Sequence, residues 1–466
     1  MGRFLKTFGL YFIGNTASRL MSFLVMPFIT QHVSNEDSGY FATVEALVNI
    51  VVIMLFISAW SGILRYLLDK DYDSRRMKRK VITAGYTIEI ISLVIFTVGF
   101  IIVNFFAPIR EAGFVYFFCV AYMLHQNVAF TVRGLGYNKL YVCSGILGSI
   151  VSFSTNLILV LVFHWGSAAL ILAAALSYFV PALFMEFFAR TLKKVRLRDL
   201  DWSVVKTMAR YCFPYSLNQG AYWITNRANT QIITIMMGLA ATGVFYWANK
   251  FTSIIQLVVM VFNLAWQEMT FSMSHDADRA KKYNLMLKNF LLFVSCGLLF
   301  LVPVTRIVFP IFVRNGSQAG LAIIPLAYLG AFMDSLANFL GSVMCAEQRM
   351  KSQLTSTVVG AIITVVMMFG TIPIIGFQAA PLATILCFLA VVIMRTINLR
   401  DVVKLNYQMG YLVHYGLMFA LASLVFFKGS ILMNVIFAVV VAVYCIIVLR
   451  GIIKDFVKMI LKKVRS

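Results

Sequence analysis

The chain of 466 residues is 61% apolar and only 12% charged, with a mean hydropathy of +0.87, whereas soluble domains are roughly half apolar and a quarter charged. That excludes a soluble enzyme, and nine prolines and 28 glycines exclude a collagen-like or disordered chain. A net charge of +22, from 40 Lys and Arg against 18 Asp and Glu, would suggest nucleic acid on a folded soluble module. Here the charges sit in short runs between apolar stretches, so nucleic acid is not an expected partner.

Apolar runs long enough to cross a bilayer predict fourteen transmembrane helices, the signature of an all-α polytopic membrane protein. In chain order they cover 8–30, 41–64, 81–107, 113–132, 141–163 and 167–189, then 211–236, 240–265, 289–312, 320–343, 354–374 and 377–396, and last 409–427 and 430–449. Span one carries Arg19 and lacks a small-residue cleavage site, so it is expected to be retained rather than removed as a signal peptide. Seven cysteines fall singly inside apolar stretches, without the paired spacing of a metal site or disulfide framework. No metal is expected.

Loops must alternate sides, and Lys and Arg are retained in cytoplasmic loops. With the N-terminus inside, thirty-three of the forty basic residues fall on the cytoplasmic side. Only Arg110, Arg306, Arg314 and Lys428 fall outside, and Arg19, Arg227 and Lys250 lie within spans. Both termini are therefore expected in the cytoplasm.

Shifting the chain along itself by 204 residues superimposes Phe28-Ile29-Thr30 on Ile232-Ile233-Thr234 and Gly39-Tyr40-Phe41 on Gly243-Val244-Phe245. By the sixth span the shift is 210, where Gly166-Ser167-Ala168-Ala169 meets Gly376-Phe377-Gln378-Ala379. An even number of spans per repeat makes the repeats parallel, related by an axis along the membrane normal. The predicted organisation is an N-terminal six-helix lobe (1–190), a basic cytoplasmic linker (191–210) and a second six-helix lobe (211–400). Helices 13 and 14 follow, with a basic cytoplasmic tail (401–466). In such repeat transporters the site lies between repeats near the midplane, and alternating access rocks one lobe on the other.

The turn Asn35-Glu36-Asp37-Ser38-Gly39-Tyr40-Phe41, the segment Trp165-Gly166-Ser167-Ala168-Ala169-Leu170, the stretch Gly243-Val244-Phe245-Tyr246-Trp247-Ala248-Asn249-Lys250 and Ile375-Gly376-Phe377-Gln378-Ala379-Ala380 resemble the polysaccharide repeat-unit flippases. That family covers flippases for O-antigen, capsule and teichoic-acid-type polymers. It belongs to the multidrug/oligosaccharidyl-lipid/polysaccharide exporter superfamily, with the multidrug and toxin extruders and the lipid II flippase. The resemblance runs over essentially the whole chain. Fourteen spans are also similar to the lipid II flippase, whereas many relatives have twelve. The resemblance implies translocation of undecaprenyl-pyrophosphate-linked oligosaccharide across the bacterial cytoplasmic membrane. It also implies a cationic central cavity, and association with membrane lipids and polysaccharide polymerase machinery.

The residues add a physical reason. A cation in a span costs about 2.5 to 3.5 kcal/mol on the insertion scale, so it must face protein or water. Arg19 shares a helical face with Asn15, Ser22 and Thr30, and Arg227 with Trp223, Thr230, Gln231 and Thr234. Guanidinium groups grip phosphate oxygens through paired donors, and an ammonium acts as a point charge beside them. Arg19, Arg227, Lys250, Asn15 and Trp223 are therefore the expected substrate-binding residues. The alternative is that the cations pair with the acids Glu45, Glu89 and Asp334, which are also candidates for coupling because protonation of an intramembrane carboxylate can gate a transporter. Glu45 precedes Asn49, and Asp334 precedes Asn338, by one helical turn.

No cofactor is expected, with energy drawn from a proton or sodium gradient or the membrane potential. Pro27 and Pro214 invite bending in spans one and seven. Two other functions compete: a multidrug extruder of the same superfamily, whose cationic drugs three buried cations oppose, and a membrane-embedded polymerase or glycosyltransferase. The last is disfavoured by short outward loops and by the absence of HExxH, P-loop or dinucleotide-binding patterns, so an enzyme is not expected.

Overall fold

The computed structural model describes residues 21, 23–69, 74–273, 276, 278–314 and 317–464. Among them there are helices and no strands. Helix α1 (23–32) is the end of the first predicted span. It is followed by α2 (Asn35–Leu55), α3 (Ala59–Leu68), α4 (Arg75–Phe106), α5 (Ala112–Gly134), α6 (Asn138–Leu161), α7 (Ser167–Ala189) and α8 (Trp202–Met237). The remainder are α9 (Leu239–Met273), α10 (Arg279–Phe312), α11 (Ile324–Ala346), α12 (Met350–Ile375), α13 (Ala379–Asn398), α14 (Met409–Lys428) and α15 (Ile431–Val464). Ten stretches among the described residues are long and apolar enough to cross a membrane, which makes this an all-α multi-pass membrane protein.

The second predicted span is two helices. After Leu55 the chain turns through Ile57 (φ 42°) and Ser58 (φ 49°), both left-handed, before α3 begins. Non-glycine residues rarely adopt that conformation. Here Ser58 Oγ donates to the Ile53 carbonyl at 3.3 Å and Ser61 Oγ to the Ser58 carbonyl at 2.9 Å, which supplies partners for backbone groups released by the break. Neither glycine nor proline marks the position, so the sequence pattern runs straight through it.

Helix starts follow ordinary capping chemistry. Ser34 Oγ accepts from the Asp37 amide at 3.0 Å, with Glu36 and Asp37 in the first turn of α2, where acids complement the helix dipole. Ser74 does the same for α4 through the Met77 amide at 3.2 Å.

The outside of the helices is apolar. Ile91, Val94, Ile95, Val98, Ile101 and Ile102 of α4 are all exposed, the inverse of a soluble surface and the arrangement that lipid solvates. Exposed Leu417, Leu421, Leu424, Ile436, Val440 and Val443 give α14 and α15 the same character.

The chain divides into two compact units, residues Met1–Gly243 and Val244–Ser466. In the first, α5 and α6 pack on α7, and α8 lies along α2, α3 and α4. Its core includes Ile63, Val81, Ile82 and Met208. In the second, α11 and α12 pack on α13, and α10 on α14 and α15. There the Trp266 ring stacks on Phe339 with centroids 4.5 Å apart, and its indole N–H donates to the Phe339 carbonyl at 3.1 Å, so burying the tryptophan leaves no donor without a partner.

Candidate functional site

Arg19 and Asn15 lie outside the described residues. Glu45, Glu89, Trp223 and Arg227 belong to the first unit, and Lys250 and Asp334 to the second.

In the first unit, α8 is polar along much of its length, and α2 satisfies part of that polarity. Gln231 Nε2 donates to the Thr43 carbonyl at 2.9 Å and Trp223 Nε1 to the Ala46 carbonyl at 3.1 Å. The hydroxyls of Thr43 and Thr234 are 2.8 Å apart, and those of Thr234 and Thr242 are 2.9 Å apart. Trp223, an expected ligand contact, thus uses its only donor to tie α8 to α2.

Arg227 is treated differently. Its side chain is exposed, and among the described residues it forms no ion pair with Glu45 or Glu89. Glu45 is half-buried near the middle of α2. Asn49, one turn on, donates to the backbone carbonyl of Glu45 at 2.8 Å and not to its carboxylate. The charges of Arg227 and Glu45 both bear on the hydroxyls of Tyr122 in α5 and Tyr178 in α7. Those two rings meet edge to face at 4.9 Å, and His125 packs on Tyr178 at 5.3 Å. Gln126 Nε2 donates to the Tyr122 hydroxyl at 3.1 Å. Four packed helices, α2, α5, α7 and α8, therefore bring a cation, an anion, an amide and two phenols to one region of the first unit.

Glu89 is a separate buried acid, 3% exposed, whose Oε2 accepts from Asn127 Nδ2, while Glu89 Oε1 and Asn127 Oδ1 have no partner among the described residues. No cation approaches it within this unit among the described residues.

In the second unit, Asn338 Nδ2 donates to Asp334 Oδ1 at 2.8 Å, and the charge of Arg395 bears on Asp334. Counted in the sequence as a cytoplasmic charge, Arg395 is 6% exposed in the last turn of α13. It donates to the Ala337 carbonyl, to Ser356 Oγ at 3.1 Å and to Thr357 Oγ1 at 3.2 Å. Lys250 is half-buried, its ammonium 4.5 Å from the centre of the Tyr246 ring, a cation–π contact one turn along α9.

The segments that carry the family resemblance in the first unit meet each other. Asp37 Oδ1 pairs with Arg110 Nη2 at 2.6 Å, and Ser167 Oγ donates to Glu111 Oε1 at 2.6 Å, with Arg110 Nε 3.5 Å from the same oxygen. The Tyr40 hydroxyl donates to the Arg110 carbonyl. Asp37 also lies against Gly166, where a side chain would collide with its carboxylate. These motif residues clasp α2 to the starts of α5 and α7.

Tyr122, His125, Gln126 and Tyr178 were not singled out by the sequence. Their signal is weak: polar aromatics and an amide at positions i, i+3 and i+4 of an otherwise apolar span, easily read as lipid contact or packing.

No family model matches the chain, and no curated protein matches it. Solved structures do. The lipid II flippase MurJ in an inward closed conformation is 14% identical, with 95% of this chain and 99% of that one covered and a TM-score of 0.70. An inward-facing multidrug resistance transporter of the MATE family is 13% identical, with 82% and 95% covered and a TM-score of 0.68. A third, a transporter from Pyrococcus furiosus described as having a binding pocket of reverse polarity, is 14% identical, with 85% and 95% covered and a TM-score of 0.61. The chain has the fold of the exporter superfamily to which the sequence resemblance also points.

Proposed function

We propose that the protein is a flippase that carries undecaprenyl-pyrophosphate-linked oligosaccharide across the bacterial cytoplasmic membrane by alternating access. The observation that carries this reading is Arg227, an exposed guanidinium in α8, the helix of the predicted seventh span, that no carboxylate of its own unit neutralises among the described residues. Holding such a charge in the membrane interior is costly unless it faces water or an anionic ligand. A diphosphate headgroup, which cannot be desolvated without compensating cations, supplies the matching chemistry. Arg19 and Lys250 are proposed to share this role, with Asn15 and the Trp223 ring beside them.

Glu45, Glu89 and Asp334 are the proposed coupling groups, for a proton or sodium gradient or for the membrane potential. No chemistry on the substrate is proposed. The polymer made from the exported unit would be a capsule, O-antigen or teichoic-type glycan, assembled by polymerase machinery on the far side.

The test is export in cells. Arg19→Ala, Arg227→Ala and Lys250→Ala should each block polymer assembly while the protein remains inserted at normal abundance. Unaffected export in all three removes the cationic-site reading. Glu45 favours a second reading, a multidrug extruder, because its open carboxylate beside two tyrosines also suits an organic cation. Resistance to cationic drugs that depends on Glu45 and not on Arg227 would select that function.

A further inference from the structure

Tyr122, Gln126, Tyr178 and Glu45 share one property: polar atoms with hydrogen-bonding capacity still open. The Tyr122 oxygen accepts from Gln126, which leaves its own proton to donate elsewhere. The Tyr178 hydroxyl has no partner among the described residues. The Glu45 carboxylate accepts from no neighbour among the described residues. All three residues stand near the middle of their helices, α5, α7 and α2.

A tyrosine that only packs in an apolar span gains nothing from a hydroxyl over phenylalanine, and an unpaired buried hydroxyl is a liability. The unpaired Tyr178 hydroxyl and the undonated Tyr122 proton, on helices packed against α2 with its open Glu45 carboxylate, which in turn packs on α8 with Arg227, therefore call for a ligand that offers many donors and acceptors. It must also offer a flat, weakly polar face, because the two rings present aromatic surface next to those groups. A pyranose ring meets both demands. Adjacent hydroxyls can donate to the Glu45 carboxylate and accept from the phenols, while the C–H face of the ring lies on a tyrosine. Free phosphate or a lipid tail meets only one of the two.

We infer that Tyr122, Gln126, Tyr178 and Glu45 form a subsite for the sugar ring attached directly to the diphosphate, with Arg227 beside it on the diphosphate itself. This rests on the flippase reading and narrows it: selectivity for a glycosylated over a bare carrier lipid resides on α2, α5 and α7. His125, whose Nδ1 is buried without a partner among the described residues, packs against the Tyr178 ring.

The experiment uses the full-length protein in lipid nanodiscs and two probes, undecaprenyl pyrophosphate and the same lipid carrying a single glucose. Wild type should bind the glycosylated probe about tenfold more tightly, the value of one or two net hydrogen bonds. The double variant Tyr122→Phe, Tyr178→Phe keeps both rings and their packing, and its preference should fall to within about twofold. Gln126→Leu should fall in the same direction, and Arg227→Ala should weaken both probes together, leaving the ratio. Full preference in the double Phe variant overturns the sugar subsite and leaves the flippase reading intact. So does parallel loss of both probes in that variant while its thermal unfolding matches wild type. Failure of wild type to bind either probe overturns the flippase reading and the subsite with it.

Discussion

Gly39 of α2 and Gly243 of α9, both in the first unit, meet in a reciprocal contact. A Cβ on Gly39 would collide with the Leu239 carbonyl, and one on Gly243 with the Asn35 carbonyl. The 204-residue shift that superimposes Gly39 on Gly243 also superimposes Asn35 on Leu239, so each glycine faces the repeat-mate of the residue the other faces.

The glycines are required for closeness, since neither is in a left-handed conformation. Gly39→Ala or Gly243→Ala should force backbone apart and cost about 1–3 kcal/mol, read as a lower unfolding midpoint in detergent. One displacement relieves both collisions, so the double variant should cost clearly less than the sum of the singles. Strict additivity would show that the two glycines serve separate contacts.

Arg395 is predicted to be structural. Arg395→Met removes donors from the Ala337 carbonyl, Ser356 and Thr357 and a positive charge from the surroundings of Asp334. The expected loss is about 3–5 kcal/mol, as for breaking a buried charged network by removing one member. Adding Asp334→Leu should recover part of that loss in thermal unfolding. No recovery would mean that the two charges do not interact.

Asn127 supplies the only hydrogen bond that Glu89 receives among the described residues. Asn127→Leu should therefore destabilise by about 1–3 kcal/mol, the cost of leaving a buried polar group without its partner. Glu89→Leu in that background should restore stability, because both polar groups are then gone. A double variant as unstable as Asn127→Leu alone would assign Glu89 a structural partner elsewhere.

The connections before α8 and after α13 should loosen in acid. Asp201 accepts from Lys80 Nζ at 2.8 Å and Asp401 from Arg349, and these hydrogen bonds hold both carboxyls below the usual carboxylate range. A depressed folded-state value stabilises above the unfolded value of about 3.9 and is lost as pH falls through the lower folded one. Hydrogen exchange at residues 199–203 and 399–403 should thus be flat from pH 7 to about pH 5 once corrected for intrinsic rates, and rise below about pH 4. Lys80→Met should raise it at 199–203 at neutral pH. Equal protection with and without Lys80 would contradict the account.

Much of the architecture was legible because a bilayer imposes length and charge rules on sequence. Long apolar runs located the helices, whereas α8, with Thr230, Gln231 and Thr234, is not among the ten stretches of the described residues long and apolar enough to cross a membrane. The break at Ile57–Ser58 was not legible, because nothing in its residue types announces a left-handed turn. Arg395 was counted among the cytoplasmic charges, and position in the chain does not reveal that Ala337, Ser356 and Thr357 converge on it. Asp37 and Gly166 lie in segments that resemble a transport family, yet here they form a clasp, so such a resemblance does not separate scaffold from site. Tyr122 and Tyr178 were hidden for a related reason: open hydroxyls distinguish a ligand contact from packing, and only coordinates show which hydroxyls are open.

The central claim is that Arg227 holds the diphosphate of a polyprenyl-linked glycan during its passage through the membrane. The most direct measurement is flipping of undecaprenyl-pyrophosphate oligosaccharide in proteoliposomes, followed by loss of accessibility to an added glycosidase, for wild type, Arg227→Lys and Arg227→Ala. The expected result is transport by wild type, a partial rate for Lys, which keeps the charge but not the paired donors, and a loss of about 10- to 100-fold for Ala. Wild-type rates in Arg227→Ala, with the protein folded and inserted, would contradict the claim.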